Sequence, residues 1–154
     1  MAPKKKSTRP SVPPPVAKPA PNWPPFSPLI PEADLALEDV MPGQIVTIPN
    51  LWTSTLCKSY VSFLSSLPLT TTPGKPKKGD AVRVNDRYQI DDPAFAERLW
   101  SETALKGIVE AQPKEIWGGD VIGLNPNIRI YRYSKGQFFD QHCEQAVVEN
   151  SGLR

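Results

Sequence analysis

The sequence predicts a small α+β domain behind a proline-rich arm, and three observations predict it. Two stretches place apolar residues at helical spacing. Several short runs of β-branched and aromatic residues alternate between Gly or Pro boundaries. The first 31 residues, finally, hold eleven of the 19 prolines of the chain. At 154 residues the chain has room for one domain and a tail.

Residues 1–31 carry five Lys/Arg and no acid, which leaves 13 basic against 16 acidic residues for 32–154. The overall charge of +2 thus hides a basic arm on a slightly acidic body. Such a body gives no case for nucleic-acid binding. Proline at this density removes backbone donors and favours extended polyproline II, so the arm is expected to be disordered. Pro3 with Lys4, Lys5 and Lys6 reads as a nuclear-localisation patch, and residues 10–15 as a ligand for a proline-motif-binding domain. A soluble leader with no specific partner is the plainer alternative.

The body, residues 32–154, begins with an acidic transition over 32–42 and an alternating strand over 44–49. Asn50 or Thr53 caps a helix that runs to about Leu67 and is stopped by Pro68. Leu56, Tyr60, Phe63, Leu64 and Leu67 form its apolar stripe, which reads as core packing and not as a cofactor site. Residues 69–80, rich in Gly, Pro and Lys, form a loop. Residues 81–87 follow as a strand, with Val82 and Val84 on one face and Arg83, Asn85 and Arg87 on the other. That polar row suits a carboxylate or the wall of a substrate groove; it also suits a solvated face paired with Asp86 or Asp91. Asp92 and Pro93 open a second helix as N-cap and N1, with Phe95, Leu99, Ile108 and Val109 on its buried side. Turns rich in glycine lead from Trp117 to Pro126. Cys57 lies in the first helix, and nothing points to a disulfide framework or a zinc site.

Residues 127–144, NIRIYRYSKGQFFDQHCE, carry the chemistry. The first seven read as a strand with Ile128, Ile130 and Arg132 on one face and Arg129, Tyr131 and Tyr133 on the other. Residues 134–137 form a turn in which Gly136 takes the positive φ. A second short strand, 138–142, delivers His142, and Glu144 follows on the same face of an extended chain. Two ligands of one metal need that arrangement, although the pair by itself also reads as surface polar residues. Cys143 points to the opposite face and does not converge with His142.

The spacing Tyr133-x-x-Gly136-x-x-Phe139-x-x-His142-x-Glu144 resembles the Y-x-x-G-x-x-[YF]-x-x-H-x-D signature of the iron(II)/2-oxoglutarate dioxygenases. The branch it resembles is the prolyl 4-hydroxylase-like one of fungi and plants. The upstream run GLNPNIRIYRY and the R-x-N-x-R run of Arg83, Asn85 and Arg87 are similar to that group as well. The resemblance spans about 44–142 and is most specific over 123–142. It implies a double-stranded β-helix (jelly-roll) fold, of which this chain carries the N-terminal helices and first strands. It implies O₂-dependent hydroxylation with succinate and CO₂ as co-products, and a protein or small-molecule substrate. The ligands it implies are Fe(II), 2-oxoglutarate and ascorbate. His142 and Glu144 would hold the metal, Tyr133 and Tyr131 would face the co-substrate, and Arg83, Asn85 and Arg87 would line the substrate groove.

The pattern also departs from the family. Cys143 and Glu144 stand where the family has an aromatic residue and Asp. The chain has one histidine and 12 residues after it. A facial site of two histidines and one carboxylate, and the basic anchor for 2-oxoglutarate, are therefore expected to be incomplete here. The sequence reading is an incomplete, inactive piece of a dioxygenase. Its alternative is a non-catalytic interaction protein that carries the proline-rich arm on a remnant dioxygenase domain. No apolar run approaches the ~18 residues of a membrane span, and no apolar signal core opens the chain, so the expected location is cytoplasmic or nuclear.

Overall fold

A computed structural model describes residues 19–72 and 81–142. The expected mixture of helix and strand is present, with the strands in small antiparallel sheets. A hairpin of β1 (Glu38–Met41) and β2 (Ile45–Thr47) comes first, in the stretch expected to hold an acidic transition and one strand. Helix α1 (Ser54–Ser65) follows, then β3 (Thr70–Thr71), β4 (Arg83–Val84) and β5 (Asp86–Asp91). Helices α2 (Pro93–Ser101), α3 (Leu105–Glu110) and α4 (Lys114–Trp117) precede β6 (Asn127–Arg132) and β7 (Phe138–Phe139). Strand β5 lies between β3 and β6, while β4 pairs with β7 in a separate two-stranded ladder.

Local signals explain the helix starts. Thr53 Oγ1 accepts the backbone N–H of Leu56 at 3.1 Å and so caps α1. Asp92 Oδ1 accepts the backbone N–H of Phe95 at 2.9 Å, and Pro93 occupies the first turn of α2. The second predicted helix is in fact two. Glu102 closes α2, and Thr103 turns its hydroxyl back onto the carbonyl of Leu99 at 2.7 Å before α3 begins. A Thr hydroxyl that bonds the preceding turn competes with helix continuation.

The core lies between one face of the β5–β6 pair and helices α1 and α2. Leu56, Tyr60, Tyr88, Ile90 and Phe95 are buried there, with Ile128, Ile130, Phe63, Leu64 and Leu67 packed around them. In the register, Tyr88 faces Ile130 and Ile90 faces Ile128, so the core face of β6 is the one its alternation predicts.

The packed domain starts upstream of the boundary expected at residue 31. Trp23 and Phe26 are buried in the same core. Trp23 stacks on Phe95 with ring centroids 4.0 Å apart, and its indole N–H donates to Asp92 Oδ2 at 2.8 Å. The Tyr60 hydroxyl donates to the carbonyl of Pro24 at 2.8 Å, and Thr53 donates to that of Pro28 at 2.9 Å. Average composition concealed two aromatic anchors. A segment that proline already holds extended loses less entropy on docking than a flexible one. The expected disorder of residues 1–18, the loop over 73–80, and the positions of Cys143 and Glu144 lie outside the described residues.

Candidate functional site

Strand alternation leaves the second face of β5 and β6 away from the core, and that face holds two of the residues singled out by sequence, Arg87 and Tyr131. Arg87, Gln89 and Asp91 on β5 stand opposite Tyr131, Arg129 and Asn127 on β6. The Arg87 guanidinium lies 5.9 Å from the centre of the Tyr131 ring, a cation–π distance. Arg87 Nη2 donates to Gln89 Oε1. Gln89 Nε2 and Arg129 Nε both donate to Asn127 Oδ1, each at 2.8 Å. Asn127 Nδ2 in turn donates to Asp91 Oδ1 at 2.7 Å. The result is a polar ladder running across two strands.

The row of Arg83, Asn85 and Arg87 does not form one strand face. The strand expected over 81–87 breaks at Asn85, so Arg83 belongs to β4 and Arg87 to β5. Asn85 is fully buried at the junction. Its backbone N–H donates to Thr72 Oγ1 at 3.1 Å, and its side-chain oxygen lies 3.0 Å from the same hydroxyl. Its amide Nδ2 donates to the Tyr133 hydroxyl oxygen at 3.1 Å. An asparagine so engaged positions its neighbours and does not offer itself to a ligand. Because the phenol oxygen accepts from Asn85, the hydroxyl proton of the half-exposed Tyr133 is directed elsewhere, as a donor.

His142 follows β7, which is shorter than the strand expected over 138–142. Gly136, at φ 85°, makes the turn that brings β7 back, and Gln137 Oε1 accepts from Ser134 N at 2.8 Å. Strand β7 pairs with β4, so Arg83 sits across from Phe139 with its guanidinium 5.6 Å from the ring. The Phe139 ring stacks on His142 with centroids 3.6 Å apart. His142 Nδ1 lies 2.8 Å from the carbonyl of Asp140. A carbonyl only accepts, so in the neutral imidazole this contact puts the proton on Nδ1 and the lone pair on Nε2. Histidine ligands commonly show this backbone-fixed tautomer.

Of the expected facial iron site, His142 is the ligand that lies among the described residues. Among the described residues no three His, Cys, Asp or Glu side chains group so as to hold a metal ion. Glu144 lies outside them, and one histidine cannot supply two imidazole ligands.

At the end of the sheet, Asp86 receives Thr71 Oγ1 at 2.7 Å and Arg132 Nη2 at 2.9 Å. The Thr71 hydrogen bond first, and then that from Arg132, hold its carboxyl below the usual range. This settles the partner of Arg132 within the sheet. Arg129, Gln89, Asn127 and Thr72 were not singled out by sequence. Gln89 and Arg129 share the period-two alternation of Arg87 and Tyr131, and that was the available signal. No described helix is long and apolar enough to cross a membrane. No protein-family model, curated protein or solved structure matches this chain.

Proposed function

We propose that this chain is the N-terminal part of an iron(II)/2-oxoglutarate dioxygenase of the prolyl 4-hydroxylase-like branch, and that the 154 residues by themselves do not turn over. In this reading β5 and β6 are early strands of a double-stranded β-helix, and α1 and α2 buttress it from outside. The observation that carries the reading is the Asn85–Tyr133 clamp. It ties the tyrosine that opens the signature to the middle of the R-x-N-x-R run, and it leaves the phenol proton as a donor for a co-substrate carboxylate. Tyr131 stands beside it under Arg87. His142, whose ring is oriented by the Nδ1 contact to the Asp140 carbonyl, would be the imidazole ligand, with Glu144 as the accompanying carboxylate. When bound, the iron and 2-oxoglutarate would supply the oxidant for C–H hydroxylation, with ascorbate as the family's reductant. The contribution of this chain is to position and to orient, in the cytoplasm or nucleus.

A second reading has its own observation. Val40, Met41 and Ile45 are exposed on the β1–β2 hairpin, which suits a non-catalytic interaction protein that also offers its proline-rich arm to a proline-motif-binding domain.

The test is a titration of the full chain with Mn(II) as a stand-in for Fe(II), followed by NMR line broadening at His142. Succinate is assayed in parallel with Fe(II), 2-oxoglutarate and ascorbate. The expected outcome is weak, chelator-reversible broadening centred on His142, lost in His142→Ala, with no succinate. No selective broadening at His142 would remove the dioxygenase reading and leave the interaction protein. Iron-dependent succinate that is lost in His142→Ala would show a completed site and overturn the absence of turnover.

A further inference from the structure

We propose that the face of the β5–β6 pair turned away from the core is a carboxylate-binding surface, with Arg87 and Arg129 as the recognising groups and Tyr131 between them. The inference deepens the dioxygenase reading by giving the substrate class: an organic acid, free or carried on an acidic peptide side chain.

Charge is the first argument. The ion pairs among the described residues are Arg98–Glu102, Lys106–Glu110, Lys114–Asp120 and Arg132–Asp86. Neither Arg87 nor Arg129 is in any of them, although both stand on one face of adjacent strands in diagonal register. The carboxylate on that face, Asp91, accepts the Asn127 amide at 2.7 Å. Two like charges thus stand on one face outside the described ion pairs, and a bound anion would relieve their mutual repulsion.

Preorganisation is the second. Gln89 and Asn127 are neutral and accept one N–H from each guanidinium, Arg87 Nη2 and Arg129 Nε. Each guanidinium has five donors in a planar fork, so these contacts fix its orientation and leave most of the fork for a ligand. Arg87 Nε, moreover, is buried and has no hydrogen-bond partner among the described residues. That donor is a polar group the described residues leave unsatisfied, and the exposed Nη donors of the fork are the ones a ligand would meet.

Ligand choice is the third. A planar, bidentate fork matches a carboxylate, and phosphate as well. A long polyphosphate backbone is disfavoured because the face offers only two guanidinium groups and residues 32–154 as a whole carry 16 acidic against 13 basic groups. The half-buried Tyr131 ring beneath Arg87 adds an apolar floor that suits the carbon skeleton of an organic acid.

The test uses the full chain without metal, so its failure and that of the metal titration are separate results. Arginine side-chain Nε–Hε signals are followed by NMR while glutarate, a Glu-containing tripeptide or inorganic phosphate is added, with sodium chloride as the ionic-strength control. Saturable shifts at Arg87 and Arg129, with glutarate or the peptide preferred over phosphate, are expected. The stronger of the two carboxylate probes identifies the source. Arg129→Gln should weaken binding about tenfold or more, and Arg129→Lys, which keeps the charge but loses the fork, should weaken it too. Lys106→Gln, on the distant α3, should leave it unchanged. The proposal is overturned if chloride reproduces the shifts, if phosphate binds as tightly as glutarate, or if Arg129→Gln binds within about twofold of the parent. Unaltered amide dispersion in the variants establishes that each remains folded.

Discussion

Asp92 shows how much a single side chain can hold together in a small domain. One carboxylate oxygen caps α2 through Phe95, and the other accepts the Trp23 indole N–H, so a buried acid is satisfied on both sides. Tyr60 is a second such residue, with its ring in the core and its hydroxyl on the carbonyl of Pro24. Burial pushes the Tyr60 hydroxyl up from 10.0 to about 12, opposed by Arg98 and reinforced by Glu102. A raised folded-state value means that the unfolded chain ionises first. The stabilisation is therefore complete below pH 10.0 and is lost as the pH rises through about 12. Urea unfolding across that range should show a steeper alkaline loss for the parent than for Tyr60→Phe, which has no phenol to ionise. Equal slopes would mean that Tyr60 is solvated in the folded chain. Burial also raises Tyr88, so the comparison isolates Tyr60 only because Tyr88 is common to both proteins.

At the scale of elements, β6 divides the molecule into a packing side and a polar side. Ile128 and Ile130 pack on the buried cluster, and Arg129 and Tyr131 face away from it. Ile130→Ala removes a partly buried aliphatic side chain opposite Tyr88 and should destabilise the chain by about 2 kcal/mol, the lower end for such truncations. Arg129→Gln, on the opposite face of the same strand, should change stability by less than about 0.5 kcal/mol. Denaturant midpoints of the two variants compare the faces directly. Equal losses would place both side chains in similar surroundings and contradict the division.

For the molecule as a whole, the segment 19–31 completes the core. It brings Trp23, Phe26 and Leu29 against α1 and α2 and lends the carbonyls of Pro24 and Pro28 to Tyr60 and Thr53. A chain that begins at residue 19 retains every one of these contacts, whereas one that begins at residue 32 loses two buried aromatic side chains, each worth about 3–5 kcal/mol by truncation. Calorimetry should therefore find nearly the parent transition in the first. In the second the transition should be lost or far lower. Similar transitions in both would show that the segment is a passive cover.

Helix starts, apolar stripes and strand faces were legible in the sequence because they rest on short-range physics. Thr53 and Asp92 cap from three residues away, Gly136 supplies a positive φ within its own turn, and Ile128 and Ile130 follow a period of two. At the candidate site, Arg83 and Arg87 were picked out by strand alternation, and Tyr131 and Tyr133 by the resemblance to the dioxygenase signature. What they touch was not legible. The indole of Trp23 finds Asp92 across 69 positions, the amide of Asn85 finds Tyr133 across 48, and Gln89 finds Asn127 across 38. The break at Asn85 has the same origin. The residues before it pair with β7 and those after it with β3 and β6, so two distant partners divide one apparent strand. Local periodicity reports what a segment can form, and only tertiary pairing decides which buried donor meets which acceptor.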